Sequence, residues 1–286
     1  MRANGIWKFR IDLVMASEDV FQPWLSRWRL VPEGEAISTH SSLLLPVRSD
    51  GLPAMLKIAT IEEEVRGAQL MVWYAGDGAA RVLAHDGSGL LLERLSGQRG
   101  LIEMERSGRG HEATRIICDV VARLHAARDR VPPETLYPMA TWFRQLEPAA
   151  TRLGGVLTMS ATVARELLAT PQHVVPLHGD IHHGNILDGG ERGWLAIDPK
   201  GVLGERAFDY ANLFCHPEAM VAKEAGRLEQ RIEIVARAAN LDPKRLLRWI
   251  LAYAGLKSVW TMEREGGGQE ARELTIAQMA AAALGL

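Results

Sequence analysis

Val175-Pro176-Leu177-His178-Gly179-Asp180-Ile181-His182-His183-Gly184-Asn185-Ile186-Leu187, followed by Trp194-Leu195-Ala196-Ile197-Asp198-Pro199, is the stretch around which the rest of the chain can be read. Apolar runs at Leu177 and Ile186-Leu187 bracket a polar loop that holds Asp180 and, five positions on, Asn185. A third apolar run, Leu195-Ala196-Ile197, stops at a second carboxylate, Asp198. The pattern reads as a catalytic loop and a metal-binding turn: buried strands deliver two carboxylates and an amide to one point, as divalent cations and a polyphosphate require. Taken singly, Asp180 fits a turn cap and Asp198 a helix start equally well. Their joint spacing carries the signal.

With 286 residues the chain is long enough for two lobes, and 47% hydrophobic with 24% charged residues is an ordinary globular composition. Lys and Arg number 33 against 35 Asp and Glu, so no basic excess points to a nucleic-acid partner. Cys118 and Cys215 lie far apart in apolar sequence and read as reduced core thiols. Residues 1–12 lack the apolar region of a signal peptide, and no apolar stretch approaches the ~20 residues that cross a bilayer. A cytoplasmic protein with no membrane partner is expected.

Upstream, residues 1–23 read as an extension without a clear period. Trp28 to Val31 and Ser42 to Arg48 read as strands, Ser49-Asp50-Gly51 as a hairpin turn and Leu52 to Ile58 as the returning strand. The small polar run from Ile37 to Ser42 can wrap phosphate oxygens, although most such runs are solvated turns. Lys57 is a lone charge in the returning strand, which by itself suggests a snorkelling side chain. The acidic-start helix from Ile61 to Tyr74 changes that reading. Glu64, with Glu63 as a substitute, can reach Lys57 and hold its ammonium where nucleotide phosphates lie. A second hairpin spans Ala80 to Leu95, and Ser96 to Gly100 is a natural hinge. Helices are predicted over 111–129, 142–153, 160–169, 207–214, 219–240, 243–262 and 269–286, with Gly266-Gly267-Gly268 as a loop.

His178-Gly179-Asp180 with Asn185, Ile197-Asp198, and Lys57 and Glu64 upstream in fitting order resemble the protein-kinase-like fold. More narrowly, the His-Gly-Asp form, Gly193 to Pro199 and Glu64-Val65-Arg66-Gly67-Ala68 are similar to the aminoglycoside phosphotransferase superfamily. The branch most resembled holds streptomycin 6-phosphotransferases and hydroxyurea phosphotransferases. The resemblance covers roughly residues 24–286 and is most specific over 175–199. It implies an α+β, bilobal architecture: a small antiparallel-sheet N-lobe with one helix and a larger, mainly helical C-lobe. The lobes are then a nucleotide-binding unit over 1–95, a hinge over 96–100, and a unit over 101–286 that carries the catalytic loop and acceptor site.

On this reading Asp180 orients an acceptor hydroxyl and takes its proton, while Asn185 and Asp198 hold Mg²⁺. Ser41 and Ser42 are the candidates for phosphate contacts beside Lys57 and Glu64, and Glu93 to Leu95 for backbone hydrogen bonds to adenine. Asp209 is expected to brace the catalytic loop. The implied activity is transfer of the γ-phosphate of ATP to a small-molecule hydroxyl. Streptomycin or a related aminoglycoside comes first as acceptor, then hydroxyurea, then a sugar or amino alcohol, with the protein a monomer or weak dimer. A guanidinium-bearing acceptor calls for carboxylates such as Glu263, Glu265, Glu270 or Glu273, none of which stands out.

Two other classes compete. His178, His182 and His183 with Asp180 suit Zn²⁺ or Fe²⁺ and hence a metal-dependent hydrolase, but neighbouring side chains of an extended segment point to opposite faces. A non-catalytic kinase-fold binding protein is the other, and is distinguished by whether Asp180→Ala alters phosphate transfer.

Overall fold

The computed structural model describes residues 20–216, 226–264 and 273–286. The extension as far as residue 19, the start of the helix expected from 219, the triple glycine, Glu265 and Glu270 lie outside those residues.

The N-lobe is built on strands β1 (Val31–Pro32), β2 (Ile37–Ser38), β3 (Ser42–Ser49), β4 (Leu52–Ala59), β5 (Val82–Asp86) and β6 (Gly89–Glu93). They form an antiparallel sheet in the order β1-β3-β4-β6-β5, with β2 on β3. Asp50 and Gly51 both take positive φ, 48° and 77°, in the tight hairpin turn that sets the β3–β4 register. Strand alternation then sorts the side chains. Leu45, Val47, Ala54, Leu56 and Leu91 fill a core on one face, while Lys57 is paired with Leu90 in register and points to the other.

The strand expected at Trp28–Val31 begins only at Val31, because a helix, α1, occupies residues 20–27. Phe21, Trp24, Leu25 and Trp28 have helical spacing, and they pack on the first face of the sheet. The opposite face receives α2 (Glu62–Tyr74), whose Ala68, Leu70, Met71 and Tyr74 join a core continuous with the C-lobe.

The segment from Ser96 to Gly100 is clamped to the C-lobe. Gly97 N donates to Asp188 O (3.0 Å), and Arg99 grips the Asp188 carboxylate with Nε (2.8 Å) and Nη2 (2.7 Å). A helix that sequence patterning missed follows directly, α3 (Leu101–Arg106), and then α4 (Gly110–Leu124). The helix expected from Trp142 is split into α5 (Met139–Trp142), a 3-10 turn and α6 (Leu146–Leu153); α7 is Val156–Ala169. Ala207–Phe214 lies in a 3-10 helix, Arg206–Cys215, rather than an α-helix. Each residue from Ala207 to Cys215 is buried, so the segment has no solvent face to reveal its period. The remaining helices are α8 (Arg227–Ala239), α9 (Pro243–Arg264) and α10 (Glu273–Leu284).

Two small sheets carry the anchor stretch. β9 (Ile186–Asp188) and β10 (Trp194–Ala196) form a hairpin, and β8 (Val174–Leu177) pairs with β11 (Val202–Glu205), which β7 (Tyr137–Pro138) joins in parallel. Ala80 N to Ala196 O and Ala196 N to Gly78 O, both 2.9 Å, tie the hairpin to the N-lobe. Among the described residues no helix is long and apolar enough to cross a membrane.

Candidate active site

The loop after β8 turns at Gly179, where φ is 84° and a Cβ would crowd Trp142, Val202 and the Cβ of Lys200 at 3.2–3.3 Å. His178 is fully buried behind it. Its Nδ1 accepts from Asp180 N (3.2 Å) and its Nε2 donates to Ile197 O (2.8 Å), so the ring is the neutral Nε2–H tautomer. Burial pushes its pKa down, in keeping with that state. Asp209 braces the loop from below: it accepts from His178 N (2.9 Å) and Gly179 N (2.7 Å) and is itself held by His125 Nε2 (2.8 Å). His183 runs inward to Glu105 of α3 (2.9 Å), which Arg231 of α8 also holds (2.6 Å).

Asp180 is thereby presented at the loop apex. Asn185 Nδ2 donates to its Oδ2 (3.2 Å) and main-chain O (2.9 Å), and Asn212 Nδ2 donates to Oδ1 (2.8 Å). The Asn212 amide is oriented by Lys257 of α9, whose ammonium donates to Asn212 Oδ1 (2.9 Å) and to His216 Nε2 (2.6 Å). His216 stacks on His182 at 4.5 Å, and burial together with the charge of Lys257 pushes its pKa down to about 2. Burial also acts on Asp180 and would raise its pKa. His182, 3.7 Å away, and the ammoniums of Lys200 and Lys257 outweigh it and hold the carboxyl below the usual range.

Asn185 and Asp198 leave the same end of the β9–β10 hairpin, joined by the Ile197 N to Asn185 O bond of 2.9 Å. Asp198 takes φ of 61°, costly for a non-glycine residue and typical of a functional turn. Lys57 pairs with both Glu64 and Asp198 across the lobes. Lys200 joins the cluster at 2.7 Å from Glu64 Oε1 and 3.1 Å from Asp198 Oδ2, and Ser41 Oγ donates to Glu64 Oε1 (2.8 Å). Burial raises the pKa of Asp198, but the two ammoniums hold it well below the usual carboxylate range. This close approach depends on Gly67: a Cβ there would lie 2.0 Å from Pro199 O, so only glycine lets α2 lie on the Asp198 turn.

The structure thus brings together Asp180, Asn185, Asp198, Lys57, Glu64 and Ser41. Two expected contacts lie elsewhere. Ser42 is buried and its N–H and hydroxyl bond to Thr39 Oγ1 (3.0 and 3.1 Å), so it shapes the loop rather than facing a ligand. Glu93 spends its N–H on Arg81 O (3.0 Å) and its carboxylate on Arg81 N (2.7 Å) and Arg192. Leu95, two residues past the strand, has a main-chain N–H and C=O with no hydrogen bond among the described residues. Glu63 does not substitute for Glu64. It lines a cavity of about 220 Å³ with Arg66, Tyr137, Trp142, Arg144 and Trp260, and burial raises its pKa. Sequence reading missed Lys200, Asn212, Lys257, His125 and Glu105. Only Lys200, two residues after Asp198, lay near enough to the motif to attract notice.

The donor set suits a hard cation: an amide and a carboxylate meet at a turn that has already gathered two ammoniums. The histidines, in contrast, diverge to Ile197 O, to Gly184 N (2.9 Å, at His182 Nδ1) and to Glu105. Among the described residues no three His, Cys, Asp or Glu side chains are placed to share a metal ion, which removes the basis for the hydrolase reading.

Comparison with known proteins agrees with this geometry. The chain is 50% identical over 241 residues to a streptomycin 3''-kinase of Klebsiella pneumoniae, covering 82% of this chain and 90% of that protein. It is 32% identical over 257 residues to a streptomycin 6-kinase of Streptomyces griseus, covering 84% and 81%. A choline/ethanolamine kinase family protein of Mesorhizobium loti shares the fold, with a TM-score of 0.60 at 14% identity over 88% of this chain and 86% of that one. The family model described as aminoglycoside/hydroxyurea antibiotic resistance kinase matches residues 27–266, a span that holds every residue of the site. The chain is therefore a kinase, and it belongs to the aminoglycoside/hydroxyurea antibiotic resistance kinases.

Proposed function

We propose that the protein transfers the γ-phosphate of ATP to streptomycin, at the 3''-hydroxyl. The observation that carries the reaction type is the meeting of Lys57, Glu64 and Asp198 across the lobes beside an Asp180 carboxylate fixed by two amides. The 50% identity to a streptomycin 3''-kinase supports the acceptor and the hydroxyl.

On this reading Asp180 accepts the hydrogen bond of the acceptor hydroxyl and aims its oxygen at the γ-phosphorus. With its pKa held low it is a weak base toward a neutral hydroxyl, so its first task is orientation; the proton follows as the bond to phosphorus forms. Lys57 turns from Asp198 to the nucleotide phosphates while Glu64 keeps it in place, and Ser41 adds a hydroxyl donor at their edge. Leu95 offers the main-chain groups that an adenine edge needs. Asn185 and Asp198 hold Mg²⁺ through oxygen atoms; the ion neutralises charge on the phosphates. The N-lobe through residue 95 serves the nucleotide, 96–100 the hinge, and the C-lobe the acceptor, which enters past Trp142 and Glu63. The near balance of 33 basic and 35 acidic residues supports a cytoplasmic enzyme, monomeric or weakly dimeric, without nucleic-acid or membrane partners.

The test is direct. Purified protein with ATP and Mg²⁺ is offered streptomycin, other aminoglycosides and hydroxyurea, and ADP release and product mass and NMR are followed. Streptomycin 3''-phosphate is the expected product, absent with Asp180→Ala. ADP release driven by hydroxyurea but not streptomycin, or a 6-phosphate product, overturns the assignment.

A further inference from the structure

The phosphotransfer reading accounts for Lys57, but the site holds a second ammonium of the same kind. We propose that Lys200 is a catalytic residue that binds the phosphoryl group during transfer, from the acceptor side and opposite Lys57. The inference rests on the phosphotransfer reading and goes beyond it.

Three observations place Lys200 there. Its main chain rides on the catalytic loop: Lys200 N donates to His178 O (2.6 Å), and its Cβ lies 3.3 Å from where a Cβ on Gly179 would be. Its side chain runs from that loop to the nucleotide-side carboxylates, with Nζ 2.7 Å from Glu64 Oε1 and 3.1 Å from Asp198 Oδ2. It is largely enclosed, its side chain only 12% exposed, yet it has no carboxylate of its own, because Glu64 and Asp198 are both shared with Lys57. Two cations on two carboxylates leave charge to spare for an anion entering the site. Lys57 comes from the sheet, whereas Lys200 starts beside Asp180 and ends at Asp198, so its ammonium spans the gap that the phosphoryl group crosses.

The chemistry calls for such a group. In a loose transition state negative charge spreads over the equatorial oxygens of the transferring phosphoryl, while the leaving oxygen keeps its electrons and the acceptor oxygen forms the new P–O bond. A preorganised ammonium at those oxygens lowers the barrier without tightening ground-state ATP binding. A purely structural brace between Glu64 and Asp198 makes the opposite demand: its loss loosens ATP and transition state alike.

The experiment compares Lys200→Met, Lys200→Arg and Lys57→Met. ATP binding is measured by calorimetry, and binding of ADP with aluminium fluoride, a mimic of the planar phosphoryl group, is measured with Mg²⁺ and without acceptor. Steady-state turnover follows with the acceptor that the wild type uses. Lys200→Met is expected to lose about 10²–10³-fold in kcat and in affinity for the ADP–aluminium fluoride complex, with ATP affinity within about threefold. Lys200→Arg should recover part of both. The binding arm needs no acceptor, so it decides on Lys200 even if streptomycin proves not to be the substrate. Equal losses of ATP and ADP–aluminium fluoride affinity, or a mimic bound by Lys200→Met as tightly as by the wild type, overturn the proposal. Thermal unfolding identifies any variant that fails to fold; Lys200→Gln then takes its place.

Discussion

The two loops that meet in the cleft are held in opposite ways. The catalytic loop, His178 to Asn185, is fastened from inside the C-lobe: His178, His183, Asp209 and Glu105 are all buried, and Asp209 alone takes three hydrogen bonds. The phosphate-side loop, Ile37 to Ser42, is mostly exposed and bonds largely to itself through Thr39, with Ser41 reaching Glu64. The difference follows from the chemistry. Groups that stabilise developing charge must be rigid before the reaction, because reorganising them costs free energy at the barrier. A loop that admits and releases a nucleotide has to move, and few buried contacts allow it to.

The comparison can be broken most severely at the apex. Asp180→Ala should lower kcat by about 10²–10⁴-fold while KM for ATP and thermal stability stay near wild type; a stability loss in proportion would mean that Asp180 is part of the brace rather than its payload. Next is Asp209→Ala. It strips partners from two buried N–H groups and from His125, and should cost about 3 kcal/mol or more in urea unfolding along with most of the activity. An Asp209→Ala protein that unfolds like wild type would show that the loop holds its shape unaided.

A smaller effect is expected from acid. His178, His183 and His216 all have pKa values pushed down by burial, His216 to about 2, so below the unfolded-state value the unfolded chain binds more protons than the native one. Their contribution is intact above about pH 6.5 and is lost as pH falls, at roughly 1.4 kcal/mol per unit for a fully buried neutral ring. His216→Gln keeps an acceptor for Lys257 without titrating, so urea midpoints between pH 7 and 5 should fall less steeply in that variant; parallel slopes would show that His216 is accessible to protons. The smallest effect belongs to the phosphate-side loop. Ser41→Ala should raise KM for ATP by no more than about fivefold, ~1 kcal/mol, with kcat little changed. A large fall in kcat would show that this loop too is preorganised.

Much of the site could be read along the chain where a single hairpin carries it. Asn185 and Asp198 are ladder neighbours of β9 and β10, and Asp180 is one loop away, so their approach is set by strand geometry and a few residues of chain. Lys57 and Glu64 are joined by one short turn. The misreadings have equally local causes. Trp28 was assigned to a strand although 21, 24, 25 and 28 share a helix face, and Ser42 and Glu93 are drawn off by Thr39 and by Arg81 and Arg192. Gly67, in mid-helix where glycine is costly, was the available hint of a close backbone approach.

By itself, then, the sequence determined the reaction centre's parts and their order, because residues a few positions apart on strands and turns have little freedom in where they lie. Only the tertiary structure decided what supports and completes that centre. His125 meets Asp209, Glu105 meets His183, Lys257 orients Asn212, and Lys200 shares Glu64 with Lys57 through packing between distant segments. Their separations run to 84, 78, 45 and 136 positions, over which no local periodicity constrains the partner. Burial and charge select it once the core has formed.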